Sequence, residues 1–166
     1  FYHSKYNPWD FSNNPFDNDL GLVFLADARS PILLPYVTAI DFSNDVSNNF
    51  LQTRATTMGF GSTQDPATHL SLQLNYVEMQ VISNEVCNET FTGVIEESNL
   101  CTDAATGSTC AGDAGGPLVA RDASNQWVII GVTSFRHRDG CTLGHPCELK
   151  LAKVKKEGRL LMTTKK

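Results

Sequence analysis

The sequence has no apolar run long enough to cross a bilayer as a helix. Its hydrophobic residues make up 41% of 166 and lie in short stretches, far from the roughly 18 consecutive positions that such a span takes. Histidine is scarce, with four residues, so few imidazoles are on offer as general bases or metal ligands. Basic charge is sparse in the body. Of 13 Lys and Arg, seven (Lys150, Lys153, Lys155, Lys156, Arg159, Lys165 and Lys166) crowd the end of a chain with net charge −5. An acidic body without clustered basic and aromatic residues excludes the phosphate-neutralising face that nucleic acid requires, and the basic end is expected to be a solvated tail. No repeat or low-complexity segment occurs, and no stretch has the charged, apolar and small-residue regions of a secretory signal. Phe1 in place of methionine suggests a start after a cut or inside a longer product. The composition is that of a water-soluble globular protein.

What the chain does have is five cysteines, Cys87, Cys101, Cys110, Cys141 and Cys147, and a sequon at Asn88-Glu89-Thr90. Together they point to an oxidising, secretory compartment and disulfides, with one cysteine left over. Cys141, His145 and Cys147 match no standard structural zinc spacing, so no metal is expected. Alternation is the visible period. Leu70, Leu72, Leu74 and Tyr76 interleave with Ser71, Gln73 and Asn75, which predicts a strand with one buried face. The apolar phase then passes to Val77, Met79 and Val81, which predicts a bulge. Other strand-like runs are Leu20 to Leu25, Leu51 to Gly59, Pro117 to Ala120 and Trp127 to Phe135. Turn clusters at Asp65-Pro66, Thr106-Gly107 and Ser124-Asn125 separate them, a rhythm of short strands that predicts an all-β sandwich or barrel. Residues 26–50 turn rich in Pro, Asp, Ser and Asn and read as a connector between subdomains.

The run Thr109-Cys110-Ala111-Gly112-Asp113-Ala114-Gly115-Gly116-Pro117-Leu118 resembles the nucleophile loop of trypsin- and chymotrypsin-like serine proteases, with Ala114 where that family has its serine. Asn18-Asp19-Leu20-Gly21-Leu22, Met58-Gly59-Phe60-Gly61 and Gly131-Val132-Thr133-Ser134-Phe135 resemble the triad-aspartate segment, the start of the second barrel and the strand lining the substrate cleft. They stand in the family's order at about its spacings, through to Pro146. The resemblance implies an all-β, trypsin-like double β-barrel whose first barrel is largely missing and whose second lacks its usual C-terminal helix. Residues 1–25 would be a remnant of the first barrel, 26–50 the connector, 51–146 the second barrel and 147–166 a divergent basic tail, with the closing strand replaced at Cys147-Glu148-Leu149-Lys150. It also implies the pairs Cys87–Cys101 and Cys110–Cys141, leaving Cys147 as a free thiol, while the sequon itself predicts a glycan on Asn88.

By the same resemblance, Asp19 is the triad aspartate and Ala114 holds the nucleophile position. Gly112 and Ala114 supply the oxyanion amides, and Asp113 is the aspartate that takes up a new α-amino group after activation. Lacking that amine, Asp113 is expected to be a carboxylate without its cation, in a mobile zymogen-like loop. Ser108 would floor the specificity pocket, with Ser134, Phe135, Arg136 and Cys147 along it. A neutral floor resembles the chymotrypsin-like and collagenolytic branches, and Arg136 and Cys147 would narrow the pocket. None of His3, His69, His137 and His145 lies in the family's histidine motif. A methyl group cannot attack a carbonyl, so the chain is expected to be an inactive, secreted, monomeric member of a serine endopeptidase family. It would need no cofactor and would meet a peptide or protein substrate or inhibitor. Alternatives are a partial or error-bearing copy of an active endopeptidase and a non-catalytic binding module.

Overall fold

A computed structural model describes residues 5–7, 9, 18–21, 40–43, 48–137, 140, 141 and 146–150, the last four of these by their backbone. Seven strands and one helix follow in order: β1 (Asp41–Phe42), β2 (Arg54–Gly59), β3 (Asn75–Ile82), α1 (Asn84–Phe91), β4 (Asn99–Thr102), β5 (Pro117–Arg121), β6 (Trp127–Phe135) and β7 (Cys147–Lys150). They form one sheet in the order β1-β6-β5-β2-β3-β4-β7, and β7 pairs back onto β6, so that β2 to β7 close into a ring. All neighbours are antiparallel except β1, which lies parallel on the outside of β6. Closure removes the unpaired strand edges that an open sheet would present.

The ring is filled by side chains from alternate strand positions: Ala55, Met79, Val81, Leu100, Leu118, Ala120, Val128 and Ile130, with Phe50 at one end. The intervening residues of β5 and β6 face a second cluster, where Val119, Ile129 and Val132 bury Leu20 and adjoin Phe42 and Met58. Both faces of β6 are therefore covered, which accounts for its near-continuous apolar run. A third cluster joins Cys87, Phe91 and Ile95 to Cys101 under α1. Disulfides link Cys87 to Cys101 and Cys110 to Cys141.

Helix α1 was not expected from periodicity, although its signals stand in the sequence. Ser83 caps it, its hydroxyl accepting from the Val86 amide at 3.3 Å, and Thr92 ends it in a left-handed conformation just before Gly93. Cys87 and Phe91, four apart, form its buried stripe. The Asn88 side chain then fixes the next turn, accepting from Ile95 N at 2.9 Å and donating to Ile95 O at 3.2 Å.

Two strand expectations are corrected. The alternation at 70–76 is not a half-buried strand: β3 begins at Asn75, and Leu70, Leu72, Leu74 and Tyr76 are all exposed, Leu72 by 98%. The Ser71 hydroxyl bonds the backbone of Gln73 and the side chain of Asn75, a local turn that replaces the ladder. No bulge follows Tyr76 either, because β2 and β3 pair in unbroken register from Arg54↔Gln80 to Gly59↔Asn75. Irregularities fall instead between Leu118 and Val119 and between Thr133 and Phe135. The end of the barrel also differs from expectation. Residues 147–150 are not the start of a tail but the closing strand, paired to β4 and β6. Cys147 and Leu149 alternate with Glu148 and Lys150, a strand period only four residues long that the lysine-rich run after it obscured; backbone pairing on both sides sets its place. Of the run at 20–25, only Leu20 and Gly21 lie within the described residues, and most of 26–50 lies outside them.

Candidate active site

The site is assembled at the far end of β6. Asn18 takes a left-handed conformation (φ 57°), the Leu20 amide bonds the Asn18 carbonyl at 2.7 Å, and the turn drops Leu20 into the cluster on β6. Asp19 is thereby held beside the strand, where the Ser134 hydroxyl donates to its Oδ2 at 2.7 Å. Partial burial pushes the Asp19 carboxyl above the ordinary carboxylate range, and the Ser134 hydrogen bond opposes that shift. Burial and then the Asp19 charge push the Tyr6 phenol up, which puts Tyr6 in the same electrostatic neighbourhood. Tyr6 carries no motif and was missed from sequence. The Ser134 contact was missed as well, because Ser134 read as a cleft residue.

The glycine-rich loop reaches the same end of β6. Gly115 N donates to Thr133 O and Thr133 N to Gly116 O, both at 2.9 Å, so the residue next to Ser134 is hydrogen-bonded to the loop that carries Ala114. Ala114 is exposed. Gly112 stands at φ 99°, which only glycine adopts without strain. Among the described residues, nothing accepts a hydrogen bond from the amides of Gly112 or Ala114. The disulfide from Cys110 to Cys141 ties the loop to the segment after β6.

Asp113 departs from its expected state. Its carboxylate is partnered: Oδ1 accepts from Gly61 N at 2.8 Å and Oδ2 from Cys110 N at 2.9 Å. Two amides, one from the segment after β2 and one from its own loop, thus hold the carboxylate. The spacing Gly59-Phe60-Gly61 now has a reason. A Cβ at residue 61 would lie 2.4 Å from the Asp113 carboxylate, and one at residue 59 would lie 2.1 Å from it.

Ser108 donates to the Thr109 carbonyl at 3.0 Å and, with Thr109 and Asp113, lines one side of a cavity of about 110 Å³ whose other side is Thr57, Gly59, Gly61 and Asn75 to Val77. Among the described residues, Ser134, Phe135 and Arg136 do not line it. Phe135 instead packs edge-on against Phe91, with ring centroids 5.4 Å apart, and Arg136 donates to the His137 carbonyl at 3.3 Å. Cys147 is the register partner of Phe135 and of Cys101. The structure thus brings Asp19, Ser134 and the Ala114 loop together, and Ser108 with Asp113, while the other pocket candidates lie elsewhere.

Neither described histidine donates to Asp19. His69 is exposed beside the Thr68 hydroxyl, and His137 stacks near Phe91 with centroids 5.7 Å apart. His3 and His145 lie outside the described residues. Cys141 is bonded to Cys110 and so cannot serve as a zinc ligand. Chemically, the arrangement offers a half-buried carboxylate beside a hydroxyl, and a tight loop with a methyl side chain at residue 114 and two amides, of Gly112 and Ala114, from which no described residue accepts.

A family model described as Trypsin matches residues 1–153. A collagenase of Hypoderma lineatum is 33% identical over 146 residues, covering 87% of this chain and 51% of the relative. A brachyurin of Leptuca pugilator is 31% identical over 149 residues, covering 87% and 58%. The mannan-binding lectin serine protease 1 of Mus musculus is 30% identical over 139 residues, covering 80% and 18%. The chain spans a little over half the length of the first two.

Proposed function

This chain belongs to the trypsin family, and from that premise we propose that it engages peptide or protein segments, substrates or inhibitors, without hydrolysing them. The observation that carries this reading is Ala114 in the nucleophile position, on a loop whose amides at 112 and 114 have no acceptor among the described residues. Those two donors are the part of a hydrolytic site that survives loss of the serine. In a serine protease of another fold, losing the serine or the histidine alone costs about 10⁶ in turnover, equivalent to about 8 kcal/mol of transition-state stabilisation. Asp19 keeps the aspartate role through Ser134, Ser108 is the neutral floor of the specificity pocket, and Asp113 is the carboxylate of the activation pocket. The two disulfides and the Asn88 sequon suit a secreted protein. Asn88 has one Nδ2 hydrogen engaged by Ile95 and a second for a glycan. No helix among the described residues is long and apolar enough to cross a membrane.

The test is hydrolysis of aromatic and aliphatic peptide esters by the purified chain, alongside the Ala114→Ser variant. The expected result is no turnover above buffer for either protein, with the variant resisting serine-directed phosphonylation. Turnover that such an inhibitor abolishes would refute the reading. A second reading, a partial or error-bearing copy of an active endopeptidase, is favoured by the agreement of residues 109–118 with the family's nucleophile loop at every position but 114. A serine codon at position 114 in the gene would select it.

A further inference from the structure

Three cysteines meet at the seam of the barrel, and only two of them can be joined at once. Cys87 on α1 is bonded to Cys101 on β4, with Cα atoms 6.2 Å apart and both residues fully buried. Cys147 on β7 is the direct antiparallel partner of Cys101. With Cys110 bonded to Cys141, all the other cysteines of the five are used, so Cys147 has no disulfide within the chain. Directly opposed residues of an antiparallel pair share a face of the sheet, with Cα atoms about 4.5–5.5 Å apart. That falls within the span of about 4.4–6.8 Å across which disulfides form. Cys101 therefore has two partners at bonding distance in backbone terms: one across the helix contact, one across the strand pair.

We propose that Cys87, Cys101 and Cys147 form an internal thiol–disulfide exchange relay. The Cys147 thiol loses its proton, and its sulfur attacks the Cys101 sulfur. A Cys101–Cys147 bond forms as the Cys87–Cys101 bond breaks, and Cys87 leaves as a thiolate that takes up a proton. One disulfide and one thiol enter and leave the step, so no oxidant or reductant is consumed. Burial closes the Cys87–Cys101 bond to thiols in solution, whereas a cysteine in register on the adjoining strand needs no path in from the surface.

The two isomers differ where it matters for the cleft. In the resting form α1 is tied to β4, and Phe91 on α1 holds Phe135, the residue after Ser134, edge to face. In the exchanged form β7 is covalently pinned to β4, which locks the barrel seam. Helix α1 is then held by packing and polar contacts without a covalent tie, and the support under Phe135 is loosened. The relay couples the thiol state of the seam to the strand that carries the Asp19 contact.

The experiment uses the full chain with its disulfides intact. It is incubated without added thiol in mildly alkaline buffer, quenched in acid, labelled with N-ethylmaleimide and mapped by mass spectrometry without reduction. The expected result is label divided between Cys147 and Cys87, together with a Cys101–Cys147 linked peptide, both absent from Cys147→Ser. A second variant, Cys87→Ser, is expected to form the Cys101–Cys147 bond in a glutathione redox buffer. Label confined to Cys147 in the natural chain overturns the relay, whether or not the bond forms in Cys87→Ser. Label on Cys87 that persists in Cys147→Ser overturns it too.

Discussion

Asp19 shows how one side chain can be stabilised by a neighbour and still be costly to ionise. Burial raises its pKa more than the Ser134 hydrogen bond lowers it, so the folded form holds the proton more tightly than the unfolded chain does. The associated stability is fully present below the ordinary aspartate range and is lost as pH rises through the raised folded value. Asp19→Asn keeps an acceptor for Ser134 and removes the charge. It is expected to melt higher than the natural chain at neutral pH, with the gap closing in acid below the ordinary aspartate range; thermal melts across that interval measure it. At this scale the sequence was informative about identity and poor about partners. The methyl at 114 and the aspartates at 19 and 113 are legible letters. The bonds Asp113 makes with two backbone amides have no letter of their own, since any residue supplies an N–H. The only trace of them was the need for glycine at 59 and 61.

Helix α1 is the element with the clearest local logic. The Ser83 cap satisfies one of the four amides left open at its start, and Ser83→Ala is expected to cost about 1 kcal/mol. Urea unfolding with an unchanged slope would show that as a lower midpoint. The opposite case is the run from Leu70 to Tyr76. Its period of two is real, but a period describes which residues would share a face and says nothing about whether another layer covers that face. Ser71 settles the local geometry by bonding Gln73 and Asn75, and the strand starts only at Asn75, where β2 offers a partner. β7 was illegible for the reverse reason. Its alternation of apolar and charged residues is only four long, and it is a strand because β4 and β6 present open ladders on either side.

Across the whole molecule, closure of the ring and the two disulfides do the work of stabilisation. Cys110 and Cys141 are 31 residues apart, and removing a cross-link of that loop length costs about 4 kcal/mol on the chain-entropy account. The Cys110→Ser/Cys141→Ser double variant is expected to unfold at correspondingly lower urea and to leave the Asp113 loop open to limited proteolysis, whereas the β2–β3 hairpin resists cleavage. All-β barrel architecture was readable from strand rhythm and ordered motifs because those are properties of neighbouring residues. Which strands close the ring, and that residues 147–150 are among them, depends on contacts between distant residues, which no local pattern encodes.

Leu72, Leu74 and Tyr76, left facing water along with Phe60, whose carbonyl accepts from Ser71 N, also determine how the molecule behaves in a tube. Excluded salts strengthen apolar association, so ammonium sulfate should precipitate this chain early and phenyl resin should retain it strongly. A single Leu72→Glu change should release it sooner from the column.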